Sequence, residues 1–400
     1  MKKNDAITEL LTRGVDEVII KSDLEKKLRD GKKLRVKLGI DPTSPNVHIG
    51  RAVQLLKLRD LQQLGHRIVL IIGDFTGVIG DTSDKESERP MLSPQTIKKN
   101  LKTYKNQVGK LLDMTKIEFH YNSEWLKKLG YWEICEQADV FSLSSFIARD
   151  NIRRRLDMGA PISLREVLYP LMQGYDSVMI KSDIELGGTD QRFNMLAGRD
   201  LQKHYGQEPQ SIIIMNLLIG TDGRKMSSSW GNTINLTDTP DAMYGKVMSM
   251  PDTLITSYFI HCTREPLHVI EELEKQMKNN TLNPRDAKMR LAHQIVALYH
   301  GEKKAAEAED AFVATFQTKQ VPQSIPTLTV SRSHVPLVDL LIEAKFASSK
   351  TEARKLIQQR SVSINTVVID DCAHTVILPK ESIVLKKGKR HFVKVLADTH

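Results

Sequence analysis

Residues 34–51, LRVKLGIDPTSPNVHIGR, decide the fold that the sequence predicts. The apolar-rich run 34–40 predicts a strand, and the proline-flanked residues after it predict a turn. His48 then opens an amphipathic helix that ends at Gly65, and the unbroken apolar run 68–73 is typical of a buried parallel strand. Strand, turn, helix and strand form a βαβ unit, so we predict an α/β fold with a doubly wound parallel sheet for the front half of the chain.

The pattern changes several times further along the chain. The first thirty residues predict a helical hairpin, and the strand-like run 211–215 closes a second α/β stretch that begins near residue 165. Long charged segments with apolar residues at helical spacing follow residue 236. The predicted organisation is an α/β domain at 1–235, an insertion within it at about 115–165, a helical domain at 236–320, a proline-containing linker at 321–334 and a small α+β domain at 335–395.

Composition limits the partners and the compartment of the protein. There are 58 Lys and Arg residues against 49 Asp and Glu residues, an excess that allows a polyanionic partner without requiring one. The three cysteines lie far apart in the sequence, so we expect neither a disulfide framework nor a protein-bound metal. The N-terminus carries charges throughout, and no apolar run approaches the length of a membrane span. We therefore expect a cytoplasmic protein without a membrane partner.

The residues at the start of the predicted helix, His48-Ile-Gly-Arg51, suit an anionic ligand. A helix that starts directly after a strand and a turn points free N–H groups and its positive dipole end at a bound anion. Gly50 lets a flat ligand such as adenine approach the backbone, and Thr43 and His48 can donate to phosphate oxygens. By itself the motif is better explained by a helix cap beside a packing glycine.

A second motif lies far downstream, where Gly223-Arg-Lys-Met-Ser-Ser-Ser229 forms a glycine-opened loop rich in hydroxyl groups. Such a loop can close over phosphates and place a cation and hydroxyl donors on the charge that develops as pyrophosphate leaves. Alone, it is also compatible with a solvated surface loop. The two motifs together, in this order and in an α/β context, favour a nucleotide site over both simpler interpretations.

The two motifs resemble HIGH and KMSKS, the signature sequences of class I aminoacyl-tRNA synthetases. Other stretches resemble the bacterial tyrosyl-tRNA synthetases in particular, and the similarity covers essentially the whole chain. These stretches are 39–43, 73–81, 169–176 and 187–191, and the segment 169–191 is the most specific. The resemblance implies a Rossmann-like catalytic domain that ligates tyrosine to tRNA(Tyr) with ATP, and we expect Mg²⁺ to accompany the ATP.

The resemblance assigns the tyrosine site to five residues. Asp81, Tyr169 and Gln173 match the groups that bind the substrate ammonium. Asp176 matches the acceptor of the phenol hydroxyl, and Gln191 matches the residue near the substrate carboxylate. Tyr169, Gln173 and Asp176 are spaced to share one face of a helix, which favours a common pocket over unrelated roles in capping or in the core.

The resemblance also assigns the nucleotide site. Because the tyrosine carboxylate itself attacks ATP, no side chain need act as a nucleophile, and catalysis consists of positioning and charge stabilisation. The groups expected to carry it are Thr43, His48, Arg51, Lys85, Arg89 and Lys225. The other residues expected to bind ATP are Gly39, Asp41, Gly50, Gly188, Asp190, Met226, Ser227 and Ser228, of which Gly188 and Asp190 match the ribose positions.

The chain departs from the family pattern at three positions. The second histidine of the first signature is Arg51, and the second lysine of the other signature is Ser228. Arginine can still donate to phosphate or ribose, so we expect activity with altered nucleotide contacts, and we predict that Arg224 partly replaces the missing lysine. Some tyrosyl enzymes read the phenol with a second tyrosine, but Lys37 stands there in this chain, which leaves half of the hydroxyl recognition open.

The last part of the chain resembles an S4-like RNA-binding domain. From residue 331 onward it carries 12 Lys and Arg against 7 Asp and Glu. The basic residues expected to meet a phosphate backbone, on or just after one predicted helix, are Lys350, Arg354, Lys355 and Arg360. A solvated basic helix face is the simpler alternative. The family is also dimeric, with its interface in the insertion, so the resemblance implies a homodimer.

Three other functions are compatible with parts of this pattern. A tryptophanyl enzyme shares both signatures, although Asp176 and the spacing of Tyr169 and Gln173 favour tyrosine. A small-molecule nucleotidyltransferase uses a similar helix start but lacks the lysine loop and the basic C-terminal part. A synthetase-like RNA-binding protein without activity is the non-enzymatic alternative, which Arg51 and Ser228 keep open.

Overall fold

The computed structural model describes residues 3–81, 91–316, 326–365, 367–378, 382–388 and 391–397. The chain forms two compact units, residues 1–306 and 307–400, and each is described by itself. The strands are β1 Val15–Ile19, β2 Arg35–Ile40, β3 Arg67–Ile72, β4 Ile117–Tyr121, β5 Ile184–Gly188, β6 Ser211–Met215, β7 Thr327–Val330, β8 His334–Pro336, β9 Val362–Ile364, β10 Val367–Val368, β11 Thr375–Ile377, β12 Ile383–Lys387 and β13 His391–Ala397.

The helices confirm the segments that the apolar spacing predicted in the second half of the chain. They are α1 Lys3–Leu10, α2 Lys21–Arg29, α3 Ile49–Gln63, α4 Thr76–Ile79, α5 Pro94–Leu101, α6 Tyr104–Val108, α7 Ser123–Leu126, α8 Tyr131–Asp139, α9 Leu143–Ile147, α10 Asp150–Asp157, α11 Leu164–Ile180, α12 Arg192–His204, α13 Pro240–Met248, α14 Ile255–Cys262, α15 Leu267–Lys278, α16 Pro284–His300, α17 Glu302–Phe316, α18 Leu337–Glu343 and α19 Lys350–Gln358.

A six-stranded sheet in the order β1-β6-β5-β2-β3-β4 forms the centre of the first unit. β1 runs antiparallel to β6, and all other neighbours are parallel, which confirms the predicted α/β fold. β3 is almost fully buried along its length, as expected for a strand covered on both faces. The chain runs outward from β2 through β3 to β4 and later returns to β5 on the other side of β2. Between β2 and β5 the winding reverses, and such a reversal opens a crevice at the carboxyl ends of the strands.

Two glycines let the helices α11 and α12 lie close together beside this crevice. A Cβ on Gly174 would lie 3.1 Å from the carbonyl carbon of Ala197, and a Cβ on Gly198 would lie 3.0 Å from the hydroxyl of Ser177. Larger residues would therefore push the helices apart. The contact fixes the position of α11, which carries most of the predicted tyrosine site.

Two predictions for the first unit were wrong in detail. The N-terminal segment is not a helical hairpin, because Val15–Ile19 forms β1, and Ile19 pairs with Ile212 at the edge of the sheet. The spacing of Val and Ile in residues 15–19 fits a helix equally well. The segment forms a strand because it pairs with the otherwise open edge of β6. The predicted insertion at 115–165 is irregular only after residue 121, because Ile117–Tyr121 is β4 and pairs in parallel with β3.

The domain boundaries also differ from those predicted. The helices after residue 236 belong, up to residue 306, to the same compact unit as the sheet. Part of the predicted linker 321–334 lies outside the described residues, and Thr327–Val330 within it is β7. This run alternates β-branched and apolar residues, and it pairs in parallel with β13, so the C-terminal fold begins before residue 335.

The second unit contains two small sheets and the helices α18 and α19. A five-stranded sheet has the order β10-β9-β12-β13-β7, and β11 pairs with β8. The strands β9 and β10 pair antiparallel with each other at one edge of this sheet. The core is apolar and fully buried at positions such as Leu340, Ile357 and Leu385, so this unit has its own hydrophobic core.

Candidate active site

A cavity of about 300 Å³ lies at the carboxyl ends of β2, β3 and β5, in the crevice where the winding reverses. Apart from Gly188, every described residue predicted for tyrosine or ATP lines it: Gly39, Asp41, Thr43, His48, Gly50, Arg51, Asp81, Tyr169, Gln173, Asp176, Asp190, Gln191, Lys225, Met226, Ser227 and Ser228. Gly188 follows the lining residue Gly187, and a Cβ on it would lie 2.6 Å from Asp190 Oδ1. Lys85 and Arg89 lie outside the described residues.

The first signature starts α3 with His48 at its N-cap position. Burial, together with the nearby cations Arg51 and Lys225, lowers the pKa of His48 to about 3, so its imidazole is neutral. Its Nδ1 is buried and has no hydrogen-bond partner within the described part of the chain. A Cβ on Gly50 would lie 3.0 Å from that atom and 3.3 Å from Met226 Sδ, so glycine is what lets the two signatures meet.

Arg51 points back across the turn that precedes its helix. Its guanidinium donates to the carbonyl oxygen of Asp41 at 3.3 Å, to Tyr104 Oη at 3.3 Å and to Thr43 Oγ1 at 3.4 Å. These contacts are long, and the side chain lines the cavity. The arginine thus places a fixed positive charge beside the predicted phosphate donors Thr43 and His48, where the family has a second histidine.

One end of the cavity carries a buried carboxylate, Asp176 on α11. Its Oδ1 accepts from Trp125 Nε1 at 2.7 Å, and its Oδ2 accepts from Asn122 Nδ2 at 3.3 Å. Burial raises the pKa of Asp176 to about 7, and the charge of Lys37 opposes that rise. Neither Asn122 nor Trp125 was predicted, because both follow β4, a strand within the segment 115–165 that the sequence pattern predicts as an insertion. Recognising the strand would have pointed to Asn122, since polar residues just after parallel strands face the crevice.

Asp41, predicted to bind ATP, accepts hydrogen bonds from the buried side chains of Tyr169 and Thr76. Tyr169 Oη donates to its Oδ2 at 2.8 Å, and Thr76 Oγ1 donates to its Oδ1 at 2.8 Å. Burial raises the pKa of Asp41 to about 6, although both hydrogen bonds oppose the rise. A Cβ on Gly73 would lie 1.9 Å from Asp41 Oδ1, so only glycine leaves room for this carboxylate. Asp41 therefore orients the hydroxyl of Tyr169.

A chain of amides connects the remaining predicted tyrosine ligands. Gln191 Nε2 donates to Asp81 Oδ2 at 2.7 Å. Asn194 Nδ2 donates to Gln173 Oε1 at 3.1 Å and to Gln191 Oε1 at 3.2 Å. Asn194 is buried on α12 and belongs to no motif, so it was not predicted. It holds both glutamine amides in a defined orientation.

The second signature forms a loop braced by its own neighbours. Lys225 Nζ lies 3.4 Å from Asp190 Oδ2. The guanidinium of Arg224 donates to Asp222 Oδ2 and lies over the ring of Trp230 at 4.8 Å from the ring centroid. The Arg224 guanidinium thus stabilises the loop through Asp222 and Trp230. Arg224 does not line the cavity, so the prediction that it replaces the missing lysine there was wrong. Ser228 itself lines it.

The predicted RNA-contacting residues of the second unit are all exposed. Lys350, Arg354 and Lys355 lie on α19, and Arg360 follows it at a positive φ of 55°. Ser349 caps the helix, since its side chain accepts from the backbone N–H of Glu352. The four cations therefore lie on or beside one short helix, as the sequence predicted.

Among the described residues, no group of three or more His, Cys, Asp or Glu side chains could hold a metal ion. Within the same residues, every helix is too short or too polar to cross a bilayer.

Comparison with known proteins identifies the family. Residues 29–317 match the model of the tRNA synthetases class I (W and Y), and residues 317–395 match that of the Tyrosine–tRNA ligase SYY-like C-terminal domain. Tyrosine–tRNA ligase of Thermotoga maritima is 46% identical over 388 residues, 97% of this chain and 96% of the relative. The Haemophilus influenzae ligase of the same name is 43% identical over 393 residues, 98% and 97% of the two chains.

A solved structure shares the fold. Tyrosyl-tRNA synthetase of Archaeoglobus fulgidus complexed with L-tyrosine superposes with a TM-score of 0.61 at 24% identity, over 76% of this chain and 99% of that one. The extent of both family matches and the identity to the curated relatives are decisive. The chain belongs to the class I tRNA synthetases of the tryptophan and tyrosine family.

Proposed function

We propose that this class I synthetase is a tyrosine–tRNA ligase, which activates L-tyrosine with ATP and then transfers it to the 3′ end of tRNA(Tyr). The observation that carries the choice of tyrosine is the buried Asp176 carboxylate in the lining of the cavity. A substrate side chain without a hydroxyl would pack against this carboxyl group without adding a hydrogen bond to those from Trp125 and Asn122, and burying a polar group without its full set of partners is costly. The names of the curated relatives support the same choice.

In this proposal, tyrosine lies with its phenol towards α7 and its ammonium towards α12. The phenol donates to Asp176, while Asp81, Tyr169 and Gln173 receive the ammonium. Gln191 lies near the carboxylate. The pocket therefore rejects phenylalanine through the missing hydroxyl, and discrimination of about 10⁴–10⁵ by this means was itself established on tyrosyl enzymes.

The ATP end lies between the two signatures. Gly50 gives adenine access to the backbone, and Asp190 with Gly188 and Gly39 holds the ribose side. Thr43, His48 and Arg51 face the phosphates from the start of α3, and Lys225 faces them from the second signature. We include Lys85 and Arg89 in this set, and Mg²⁺ as a companion of the ATP phosphates.

The chemistry follows from this arrangement in two steps. A carboxylate oxygen of tyrosine attacks the α-phosphorus, and the bond from that phosphorus to the oxygen bridging to the β-phosphate breaks, which releases pyrophosphate. A terminal hydroxyl of tRNA then attacks the carbonyl carbon of the adenylate and loses its proton, and AMP leaves. Both steps gain from fixed donors and cations around the transferring group, because these need no reorganisation during the reaction.

The same proposal covers the partners. The exposed basic residues of α19 support tRNA binding by the second unit. A homodimer is supported by large apolar side chains on α8 to α11, since Tyr131 is 90%, Trp132 74% and Leu164 78% exposed. Because its substrates belong to translation, we place the enzyme in the cytoplasm.

The test is ATP–pyrophosphate exchange by the purified full-length protein, with tyrosine, phenylalanine and tryptophan in parallel. We expect exchange with tyrosine alone. Exchange with tryptophan would identify the other specificity of the family. If a folded protein that still binds tRNA exchanged with none of the three, Arg51 and Ser228 would mark an inactive RNA-binding relative.

A further inference from the structure

An ion pair lies directly behind the tyrosine cavity, in the sheet itself. Lys37 on β2 and Glu185 on β5 are register partners in the parallel ladder, and Lys37 Nζ lies 2.9 Å from Glu185 Oε1. Their side chains are 0% and 1% exposed, and neither residue lines the cavity. A buried pair of this kind costs much desolvation, so hydrophobic residues would serve the core at least as well.

Both members of the pair are hydrogen-bonded to α11 around the phenol acceptor. Lys37 Nζ donates to the carbonyl oxygen of Gln173 at 2.8 Å and to Ser177 Oγ at 2.7 Å, one residue beyond Asp176. Glu185 accepts from Gln173 Nε2 at 3.2 Å and from Ser177 Oγ at 3.1 Å. The pair thus contacts the residues on both sides of Asp176 along the helix.

We propose that Lys37 and Glu185 are positioning residues that set the specificity for tyrosine, by fixing the amide of Gln173 and by placing a positive charge behind Asp176. This inference rests on the proposed tyrosine specificity of the site. The proposal also explains how this chain does without the second phenol-binding tyrosine of some tyrosyl enzymes. Lys37 stands at that position and acts on the phenol through Asp176 without contacting the phenol.

The first effect concerns the orientation of the Gln173 amide. An ionised carboxylate only accepts hydrogen bonds, so Glu185 selects the NH₂ side of this amide. The oxygen is then turned to Asn194, whose Nδ2 donates to it at 3.1 Å, and it keeps a second lone pair for the substrate ammonium. Without Glu185 the two amide orientations would become similar in energy.

The second effect concerns the charge of Asp176. The groups that face this carboxyl are Lys37 and Glu185 from the sheet, Trp125 and Asn122 from the segment after β4, and Tyr169 on its own helix. Burial raises the pKa of Asp176 to about 7, and Lys37 is the main group that opposes this rise. Removing the lysine therefore leaves less ionised carboxylate at neutral pH, and a charge-assisted hydrogen bond to the phenol is about twice as strong as a neutral one.

The experiment compares Lys37→Met with a matched loss of another buried lysine. Lys57 on α3 is 1% exposed and donates to the carbonyl oxygens of Leu10 at 2.7 Å and Arg13 at 2.8 Å, away from the cavity. Lys57→Met thus controls for lost stability without touching the tyrosine site. For each full-length variant, kcat/KM is measured for tyrosine and for phenylalanine across pH 5 to 9.

For Lys37→Met we expect the ratio of kcat/KM for tyrosine over phenylalanine to fall at least about tenfold, a loss of about 1.4 kcal/mol. We also expect the acid limb of the tyrosine profile to move to higher pH, because the pKa of Asp176 rises when a neighbouring cation is removed. Lys57→Met should leave the ratio and the midpoint as in the parent. If Lys37 had a purely structural role, kcat/KM would fall equally for tyrosine and phenylalanine, and the midpoint of the acid limb would stay unchanged.

Should Lys37→Met fail to fold, the double variant Lys37→Met/Glu185→Gln carries the test, because it leaves no unpaired buried charge. The same fall in the tyrosine-to-phenylalanine ratio supports the proposal. An unchanged ratio and midpoint, or equal changes in Lys57→Met, overturns it. Failure of the proposed function is distinguishable, since the parent enzyme itself would then show no tyrosine-dependent exchange.

Discussion

Asp176→Asn is the substitution that tests the tyrosine pocket most directly. The change keeps the size of the side chain and removes its charge. The parent carboxylate accepts from Trp125 Nε1 and Asn122 Nδ2 and, in our proposal, from the substrate phenol. An asparagine has a single acceptor oxygen, so it cannot serve all three donors. Asn122 cannot simply flip its amide, because its Oδ1 already accepts from the backbone N–H of Phe75 at 3.1 Å.

The magnitude follows from the hydrogen bond to the substrate. A hydrogen bond to a charged group contributes about 1.5–3 kcal/mol. Since each 1.4 kcal/mol is a factor of ten, kcat/KM for tyrosine should fall about 10- to 100-fold. Phenylalanine gains no hydrogen bond from Asp176 and packs an apolar ring against its charge in the parent enzyme, so its kcat/KM should stay level or rise in Asp176→Asn. The discrimination between the two substrates therefore falls by about the same factor or more.

The assay is pyrophosphate exchange with each amino acid, alongside thermal unfolding. Asp74→Asn is the matched control, because Asp74 accepts from the N–H and hydroxyl of Ser123 at the start of α7 but does not line the cavity. It should lose stability without losing discrimination. The proposed role of Asp176 is wrong if Asp176→Asn keeps the discrimination of the parent enzyme.

Four further outcomes are expected. Burial raises the pKa of Asp176 from 3.8 to about 7, so the folded chain holds this proton more tightly than the unfolded chain. Ionisation of Asp176 therefore lowers the stability of the folded protein as the pH rises. In urea titrations between pH 4 and 8, the parent should lose about 4 kcal/mol of unfolding free energy relative to Asp176→Asn. Arg224→Ala should slow pyrophosphate exchange about tenfold. Arg224→Lys should restore only part of the exchange rate, because lysine lacks the planar guanidinium that donates to Asp222. A full return of the rate in Arg224→Lys would mean that the positive charge alone matters. Alanine at Arg354 and Lys355 together should weaken tRNA binding and flatten its salt dependence in filter binding while exchange stays normal, and an unchanged salt slope would exclude these contacts. Trp132→Glu should shift sedimentation from dimer to monomer, and a parent that already sediments as a monomer would contradict the homodimer.

The sequence predicted the parts of the fold whose signals are local. The run 34–40, the helix start at His48 and the run 68–73 each carry strong patterns, and the structure confirms β2, α3 and β3. The sequence pattern did not predict β1 and β4, because both strands lie at the edges of the sheet and mix polar and apolar residues. Pairing with a neighbouring strand decides such segments, and that neighbour is distant in the sequence.

The residues of the candidate site divide in the same way, into those with a local signal and those without one. The residues predicted to contact the substrates belong to motifs, and every described one except Gly188 lines a single cavity. The residues that orient those contacts, such as Asn122, Trp125 and Asn194, belong to no motif. Their identity becomes clear only from hydrogen bonds across the folded chain, since one amide among many in a sequence carries no sign of what it will orient.

Lys37 shows how far a departure from a family pattern can mislead when taken alone. In the sequence, a lysine at the position of a phenol-binding tyrosine indicates a lost contact. In the structure, the same lysine is buried against Glu185 and bonded to the helix that carries Asp176. A charge in a strand of a parallel sheet is tolerated only with a buried partner, and that partner lies in the next strand of the sheet but far away in the sequence. Lys37 is therefore better understood as one half of an ion pair with Glu185. In our proposal this pair serves the enzyme by orienting Gln173 and by placing a positive charge behind Asp176, the acceptor of the phenol.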